Sequence, residues 1–549
     1  MLRSRYALLG PLLLVLLANG AYGRTQQHGG ESATADAPPI HQGQELIEQG
    51  RLEEAEALLA RAVKQQPASQ GTRLEWASVL ARLHRYQDAE AALASVAAPV
   101  PLQQRIAFYR LKGSVDLGIG NPKSAARDME LALKLAPDDQ GLLIATGMAE
   151  NAAGESAPAI THLSPVFGAT RDPKAGLALL QAELAAHRDH ASTLKELRSL
   201  ELPAAQRLPL EVEIGEALSS SGAHVEAIST FQKAIDDAPG RADLYFDLAL
   251  AQSHAGQWDR ALASGEKSKS IGDSAALESL MGDIQEARGD ILAAAHSYQA
   301  AVALAPDQES YRLALGLDLL RHGTFEPALA VFQQGVELFP KSTRMRVAEG
   351  LARYFLEQYP EAAQSLIEAC RMDPESALAA GYLAEVELQQ PVAPEVAAVD
   401  EVCRYADRHP SGGALAYCGA LQLRVEHDRG DTGPSLGVIE RLRLAAHQAP
   451  DDATAHCSLG QALEWSRQWQ PAETEMEACL RLNPDSVEGH YRMAEIARHL
   501  GDTERAQEEV KRHDEAQQRL VKANAERDRT LQKFLYTMTA RPSTKSSAP

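Results

Sequence analysis

The chain has 549 residues, too many for one ordinary globular core, so its length predicts several domains or an array of repeated units. Aromatic residues make up only 5% of the sequence, which disfavours a sheet and favours thin, closely packed helices. The formal net charge of -21, from 75 acidic and 54 basic residues, argues against nucleic-acid binding because a polyanion requires a basic surface.

Residues 1–23 have the layout of a secretory signal peptide. Arg3 and Arg5 precede an apolar run, Ala7–Ala18, and small residues follow it. The run is shorter than a membrane span requires, so we expect a cleaved signal, with an uncleaved anchor as the alternative. No cysteine lies near this region, so no lipid anchor is expected. The pattern predicts a periplasmic or secreted protein without a further transmembrane segment.

A fixed spacing of four residue types recurs after this segment. At seven places a proline follows a large apolar residue by 8 positions, an alanine by 12 and a glycine by 24. The glycines are Gly43, Gly113, Gly215, Gly282, Gly316, Gly350 and Gly460. The large residues are Leu59, Met129, Phe231, Tyr298, Phe332, Leu366 and Met476, and the prolines are Pro67, Pro137, Pro239, Pro306, Pro340, Pro374 and Pro484.

Each recurring residue has a physical reason, which the unit ending at Pro340 illustrates. Gly316 and Ala328 allow two antiparallel helices to approach closely, and Phe332 fills the space beside the glycine. Pro340 ends the second helix because proline cannot continue it. The aspartate that often follows the proline, such as Asp138, is predicted to cap the next helix.

This pattern resembles the tetratricopeptide repeat family, whose unit is a pair of helices about 34 residues long. The resemblance covers residues 40–511 and implies an all-α fold, an α-solenoid superhelix of about 13–14 helical hairpins. Units near residues 172–207 and 388–440 depart from the spacing and are expected to be irregular.

The two ends of the array are expected to differ from its middle. Residues 24–39 are predicted to form a disordered leader. Residues 512–538 belong to a highly charged stretch that is predicted to form one long C-terminal capping helix, with a partner-binding helix as the alternative. Residues 539–549 are predicted to be a disordered tail.

No motif in the sequence predicts catalysis. The segment "DTGPS" at Asp431 copies an aspartic-protease triplet but is expected in a helix connection, where that chemistry lacks its second loop. His187 and His190 are expected on one helical face without a third ligand, so no metal site is predicted. We therefore expect a non-enzyme without a cofactor.

The resemblance implies a binding surface, because the first helix of each unit lines the concave side in this family. The apolar residues expected there are Phe246, Leu250, Leu313, Leu317, Leu320, Val347, Leu351 and Tyr354. They are predicted to form a partner-binding groove with acidic flanks. The alternative is that they pack against neighbouring first helices or close a tight superhelix.

All five cysteines lie between Cys370 and Cys479, and an odd number leaves at least one thiol without an intramolecular partner. Cys457 and Cys479 are expected on facing helices of one hairpin and are a candidate disulfide. Cys403 and Cys418 are expected to face each other similarly. The alternative is that these are small buried residues.

These observations predict a non-catalytic protein-protein interaction scaffold that binds a peptide or partner segment in its groove outside the cytoplasm. The alternative is an accessory subunit of a bacterial envelope or exopolysaccharide export complex, which often carries such arrays.

Overall fold

The computed structural model describes residues 37–97, 101–390 and 392–539, and the side chains of residues 39–97, 101–390 and 392–522. The predicted signal peptide, most of the predicted leader and nearly all of the tail lie outside the described residues. The first described helix begins at Ala37, so the last three residues of the predicted leader are helical.

Every regular element in the described ranges is an α-helix. The 28 helices are α1 Ala37–Glu48, α2 Leu52–Gln65, α3 Gln70–Arg82, α4 Tyr86–Leu93, α5 Leu102–Gly118, α6 Pro122–Leu135, α7 Gln140–Ala152, α8 Ser156–Thr170, α9 Pro173–Ala185, α10 Ala191–Arg198, α11 Ala204–Ser220, α12 His224–Asp237, α13 Ala242–His254, α14 Trp258–Ile271, α15 Ala275–Arg288, α16 Ile291–Leu304, α17 Glu309–Arg321, α18 Phe325–Leu338, α19 Thr343–Phe355, α20 Tyr359–Met372, α21 Ala377–Gln389, α22 Val396–Arg408, α23 Gly412–Asp428, α24 Leu436–Gln448, α25 Ala453–Trp465, α26 Trp469–Leu482, α27 Val487–Leu500 and α28 Thr503–Thr539.

Taken in consecutive pairs, the helices make fourteen helical hairpins, which confirms the predicted all-α solenoid. The chain divides into two compact units, residues 1–264 and 265–549, and the division falls within α14. Within each unit, apolar side chains of successive hairpins merge into shared cores, because one hairpin cannot bury its apolar face alone.

The predicted glycine–apolar pairs are present in all seven units. A Cβ atom added at Gly316 would lie 2.2 Å from Cε1 of Phe332, and one at Gly215 would lie 2.6 Å from Cε1 of Phe231. The other five glycines meet their predicted partners at 2.6 to 3.1 Å. The seven alanines of the spacing, Ala328 among them, are fully buried. The hairpins therefore close because each glycine leaves room for one large side chain.

The irregular segments keep the same contact with a different spacing. Gly419 on α23 lies against Leu442 on α24, and Gly176 on α9 lies against Leu197 on α10. These partners are 23 and 21 residues apart, rather than 16, because the connection between the paired helices is longer and the glycine lies further from the end of its helix. The fixed-spacing pattern fails there although the packing is the same.

The prolines end their helices as predicted, but the capping prediction is wrong by one residue. Before Pro340, α18 ends at Leu338, two residues earlier. The cap of the next helix is the second residue after the proline, not the first. Asp139, rather than Asp138, accepts a hydrogen bond from the Leu142 backbone N–H at 3.0 Å. The same position holds Ser69, Ser342, Ser376, Asp452 and Ser486, all of which cap their helices.

The last hairpin pairs α27 with the start of α28. His490 on α27 and Glu509 on α28 are both buried, and His490 Nδ1 lies 2.6 Å from Glu509 Oε2. Helix α28 then continues without a break to Thr539. The long C-terminal helix is thus an extension of the final hairpin.

Candidate functional site

The A-helix face is the surface formed by Leu317 and Leu320 on α17 and by Leu351 and Tyr354 on α19, all in the second unit. Leu317 is 44% exposed, and the other three side chains are half-buried. Helices α17 and α19 are the first helices of consecutive hairpins, and they contact each other. The face therefore presents apolar side chains of two consecutive hairpins to solvent.

Two residues expected in this groove are core residues instead. Leu313 belongs to the same apolar core as Tyr298, and Val347 packs in a core with Ala362 and Leu366. Both side chains are buried, so they do not line an exposed groove.

Phe246 and Leu250 lie on α13 in the first unit. Both are half-buried, and their neighbour Leu248 belongs to the apolar core of that unit. They contribute partly exposed apolar surface to α13 within the first unit.

Phe355 was not predicted, although it extends the A-helix face. Its ring is 42% exposed and stacks on the ring of Phe325, with 5.1 Å between centroids and 9° between planes. It also contacts Tyr354 edge-on at 5.4 Å. Its position immediately after Tyr354, at the end of a first helix, could have identified it from the sequence.

Charged groups lie beside the A-helix face where α15 and α17 end. Arg321 Nη1 donates a hydrogen bond to Glu286 Oε2 at 2.7 Å, and His322 Nε2 lies 2.6 Å from Glu286 Oε1. Asp318, one turn before His322, is only 2% exposed. This group of charged side chains links two consecutive hairpins.

The two carboxyl groups of this cluster have different proton affinities. Burial acts to raise the pKa of Glu286, but hydrogen bonds from Arg321 and His322 outweigh it, and the net pKa is lowered. Burial, reinforced by the negative charge of Glu286, raises the pKa of Asp318 from 3.8 to about 7. Glu286 is therefore the ionised member at neutral pH, and Asp318 is poised to gain or lose a proton.

The structure pairs four of the five cysteines. Cys457 on α25 is bonded to Cys479 on α26, and Cys403 on α22 is bonded to Cys418 on α23. Cys370 is free and buried, and burial raises the pKa of its thiol to about 12. Each disulfide ties together two neighbouring helices.

The other candidate motifs lie outside helices. Asp431 and the rest of "DTGPS" form part of the connection between α23 and α24, as expected. His187 is in the turn after α9 and His190 is the N-cap of α10, so the prediction that they share a helical face is wrong. His190 Nε2 instead lies 3.0 Å from Glu226 Oε2.

Comparison with solved structures returns repeat proteins of low sequence identity. The C-terminal part of a repeat-containing protein from Cytophaga hutchinsonii is 17% identical, covers 50% of this chain and 96% of that chain, and has a TM-score of 0.36. A protein from Parabacteroides merdae is 19% identical over 51% of this chain and 97% of that chain, with a TM-score of 0.33. YrrB, described as having an unusual peptide-binding site, is 20% identical over 32% and 91%, with a TM-score of 0.28.

The remaining comparisons concern families and curated proteins. No curated protein matches the chain. Among the described residues, no helix combines the length and apolarity that a bilayer span requires. One model of the tetratricopeptide repeat matches residues 46–113 and 218–264, and a second matches residues 280–343 and 347–412. Together with the fourteen hairpins and their glycine–apolar contacts, these matches show that the chain contains tetratricopeptide repeats.

Proposed function

We propose that this protein is a non-catalytic scaffold outside the cytoplasm that binds an apolar segment of a protein partner on its A-helix face. Tetratricopeptide repeats are generally non-catalytic interaction modules, and the family match supports a protein-protein interaction scaffold. The choice of surface and of compartment is our inference.

The observation that carries the proposal is the exposure of Leu317. It lies at the centre of a first helix, with Leu320 one turn further on and Leu351 at the equivalent position of the next unit, 34 residues later. Because Leu317 is 44% exposed, covering it fully should gain less than half of the about 1.5–3 kcal/mol that a fully exposed apolar side chain gains on burial. A run of such positions on adjacent first helices suits an extended or helical apolar segment.

The charge around the face indicates what should flank that segment. Asp283 is exposed on α15, one turn before Glu286, and the whole chain carries a formal charge of -21. Opposite charges steer association and suppress wrong partners. We therefore expect the bound segment to carry lysine or arginine beside its apolar residues.

Two observations support the proposed location. The N-terminal sequence has the layout of a secretory signal, and four cysteines form two disulfides within the chain. Disulfides of this kind persist in oxidising compartments and are rare in the cytosol. Fractionation of the cells that make the protein tests the location, and recovery of the full-length chain in the cytosolic fraction would contradict it.

The test of the binding surface compares two equally drastic substitutions. Leu317→Asp places a charge on the A-helix face, and Leu338→Asp places one on α18, where Leu338 is 56% exposed. Neither side chain is in the core, so both variants should fold. The proposal predicts that partners copurifying with the wild-type protein are lost with Leu317→Asp and retained with Leu338→Asp. Equal recovery with both variants would contradict it.

A further inference from the structure

The charged cluster at the ends of α15 and α17 brings three potential metal ligands together. Glu286 comes from α15, Asp318 comes from the last turn of α17, and His322 is the C-cap residue of α17, four positions after Asp318. One ligand atom from each residue lies within 4.8 Å of the others. In the part of the chain that the structure describes, no other three residues of these types come so close.

Asp318 supplies a second, independent observation. Its side chain is 2% exposed, and no N–H or O–H donor lies within hydrogen-bond distance of its buried Oδ1 atom, although its carboxyl group interacts with that of Glu286. This atom faces the cluster, 3.8 Å from His322 Nε2. A buried carboxylate oxygen without a partner is costly, so such a group requires either a proton or a cation.

We propose that Glu286, Asp318 and His322 bind one divalent transition-metal ion of the zinc class. Carboxylate oxygens and an imidazole nitrogen are ligands that Zn²⁺ accepts, and a fourth position would be filled by water. Two ionised carboxylates balance the double charge of the ion, while the imidazole binds as the neutral form. Ca²⁺ is disfavoured because it requires six to eight oxygen ligands.

The geometry requires only a small adjustment. Glu286 Oε1 and His322 Nε2 are 2.6 Å apart, and an ion bonded to both at about 2.0–2.1 Å would separate them to about 3.3 Å. Arg321 holds the other oxygen, Oε2, at 2.7 Å and so orients the carboxylate from outside the ligand set.

Such a site would connect two consecutive hairpins. Glu286 belongs to the hairpin of α15 and α16, while Asp318 and His322 belong to the hairpin of α17 and α18. An ion bound only in the folded state stabilises that state by mass action. Leu320 is one residue before Arg321, so the ion would also stiffen the end of the helix that carries the A-helix face.

The test uses the full chain, purified without a histidine tag and freed of metal by a chelator. Zn²⁺ is titrated calorimetrically into the wild type, Asp318→Asn, His322→Ala and a control, His456→Ala. His456 Nδ1 also lies 2.6 Å from a glutamate, Glu475, but lacks a second carboxylate in the cluster. Circular dichroism checks folding, and the nearly isosteric Glu286→Gln carries the test if His322→Ala does not fold.

We expect the wild type and His456→Ala to bind one more equivalent of Zn²⁺ than the other variants, with affinity at that site reduced by more than about 100-fold when a ligand is lost. Bound Co²⁺ should show the visible absorption of a low-coordinate site in the wild type and lose it in Asp318→Asn. Equal Zn²⁺ stoichiometry in all four proteins would overturn the proposal. A loss of bound Zn²⁺ in His456→Ala equal to that in the ligand variants would also overturn it. Uptake of Ca²⁺ that depends on Asp318 would overturn the assignment to the zinc class.

Discussion

Replacing Gly316 by alanine tests the contact that closes each hairpin. The added Cβ would lie 2.2 Å from Cε1 and 2.4 Å from Cζ of Phe332, whereas ordinary contacts begin near 3.4 Å. Phe332 is fully buried, so its ring has no free space to enter. The ring or the helix backbone must therefore move by more than about 1 Å, which in a packed core costs about 1–3 kcal/mol.

Gly381 provides the matched control, because it lies inside helix α21 and an added Cβ there meets no heavy atom within 4 Å. Both substitutions gain the same helix propensity, about 1 kcal/mol. The difference in unfolding free energy between Gly316→Ala and Gly381→Ala is then the packing strain alone. We predict that Gly381→Ala stabilises the protein. The unfolding free energy of Gly316→Ala should be lower than that of Gly381→Ala by about 1–3 kcal/mol.

Urea unfolding followed by circular dichroism measures the two free energies, and hydrogen exchange at α17 and α18 locates the effect. Hydrogen exchange is required because repeat arrays need not unfold in one step. In a Phe332→Leu background, the strain from Gly316→Ala should fall by about 1 kcal/mol because the ring is gone. Equal stability of Gly316→Ala and Gly381→Ala would refute the proposed role of the glycine.

Three further predictions concern other contacts. Alkylation of the unfolded chain without reductant should add one group, at Cys370, and with reductant five; three groups without reductant would contradict one of the disulfides. Burial first, and a neighbouring carboxyl group second, raise the pKa of Asp116 from 3.8 to about 6, so the folded chain binds more protons in this range than the unfolded chain. The contribution of Asp116 to stability should therefore fall by up to about 3 kcal/mol as pH rises through this window, and Asp116→Asn should make the slope in urea unfolding at pH 4–7 shallower, leaving the part due to other raised carboxyl groups such as Asp318. Ser342 Oγ accepts a hydrogen bond from the Met345 N–H at 3.1 Å, so Ser342→Ala should lower stability by about 1 kcal/mol, whereas Lys341→Ala should change it little.

The repeated fold was predictable because its packing depends on residues close in sequence. Gly316 and Phe332 are 16 positions apart, and seven units show the same spacing, so composition and offset were sufficient. Where connections lengthen, as between Gly419 and Leu442, the contact persists but the offset changes. The caps were misplaced because a proline is followed by a two-residue turn, which shifts the N-cap to the second position.

The candidate surfaces were less predictable because the repeat pattern identifies a helix but not the depth of each side chain. Leu313 and Leu317 are one turn apart and equally apolar, yet the first is buried and the second is exposed. The cluster of Glu286, Asp318 and His322 was not predicted because its members come from two consecutive hairpins. Only the alignment of consecutive first helices brings residues 32 and 36 positions apart into contact.

The binding of a partner by the A-helix face is the central claim, and site-specific photocrosslinking in the cells that make the protein tests it. A photoreactive phenylalanine analogue is introduced at position 317 or at the control position 338. We predict a crosslinked partner of defined mass from position 317 and none from position 338. Crosslinks from position 338 alone, or the same products from both positions, would contradict it.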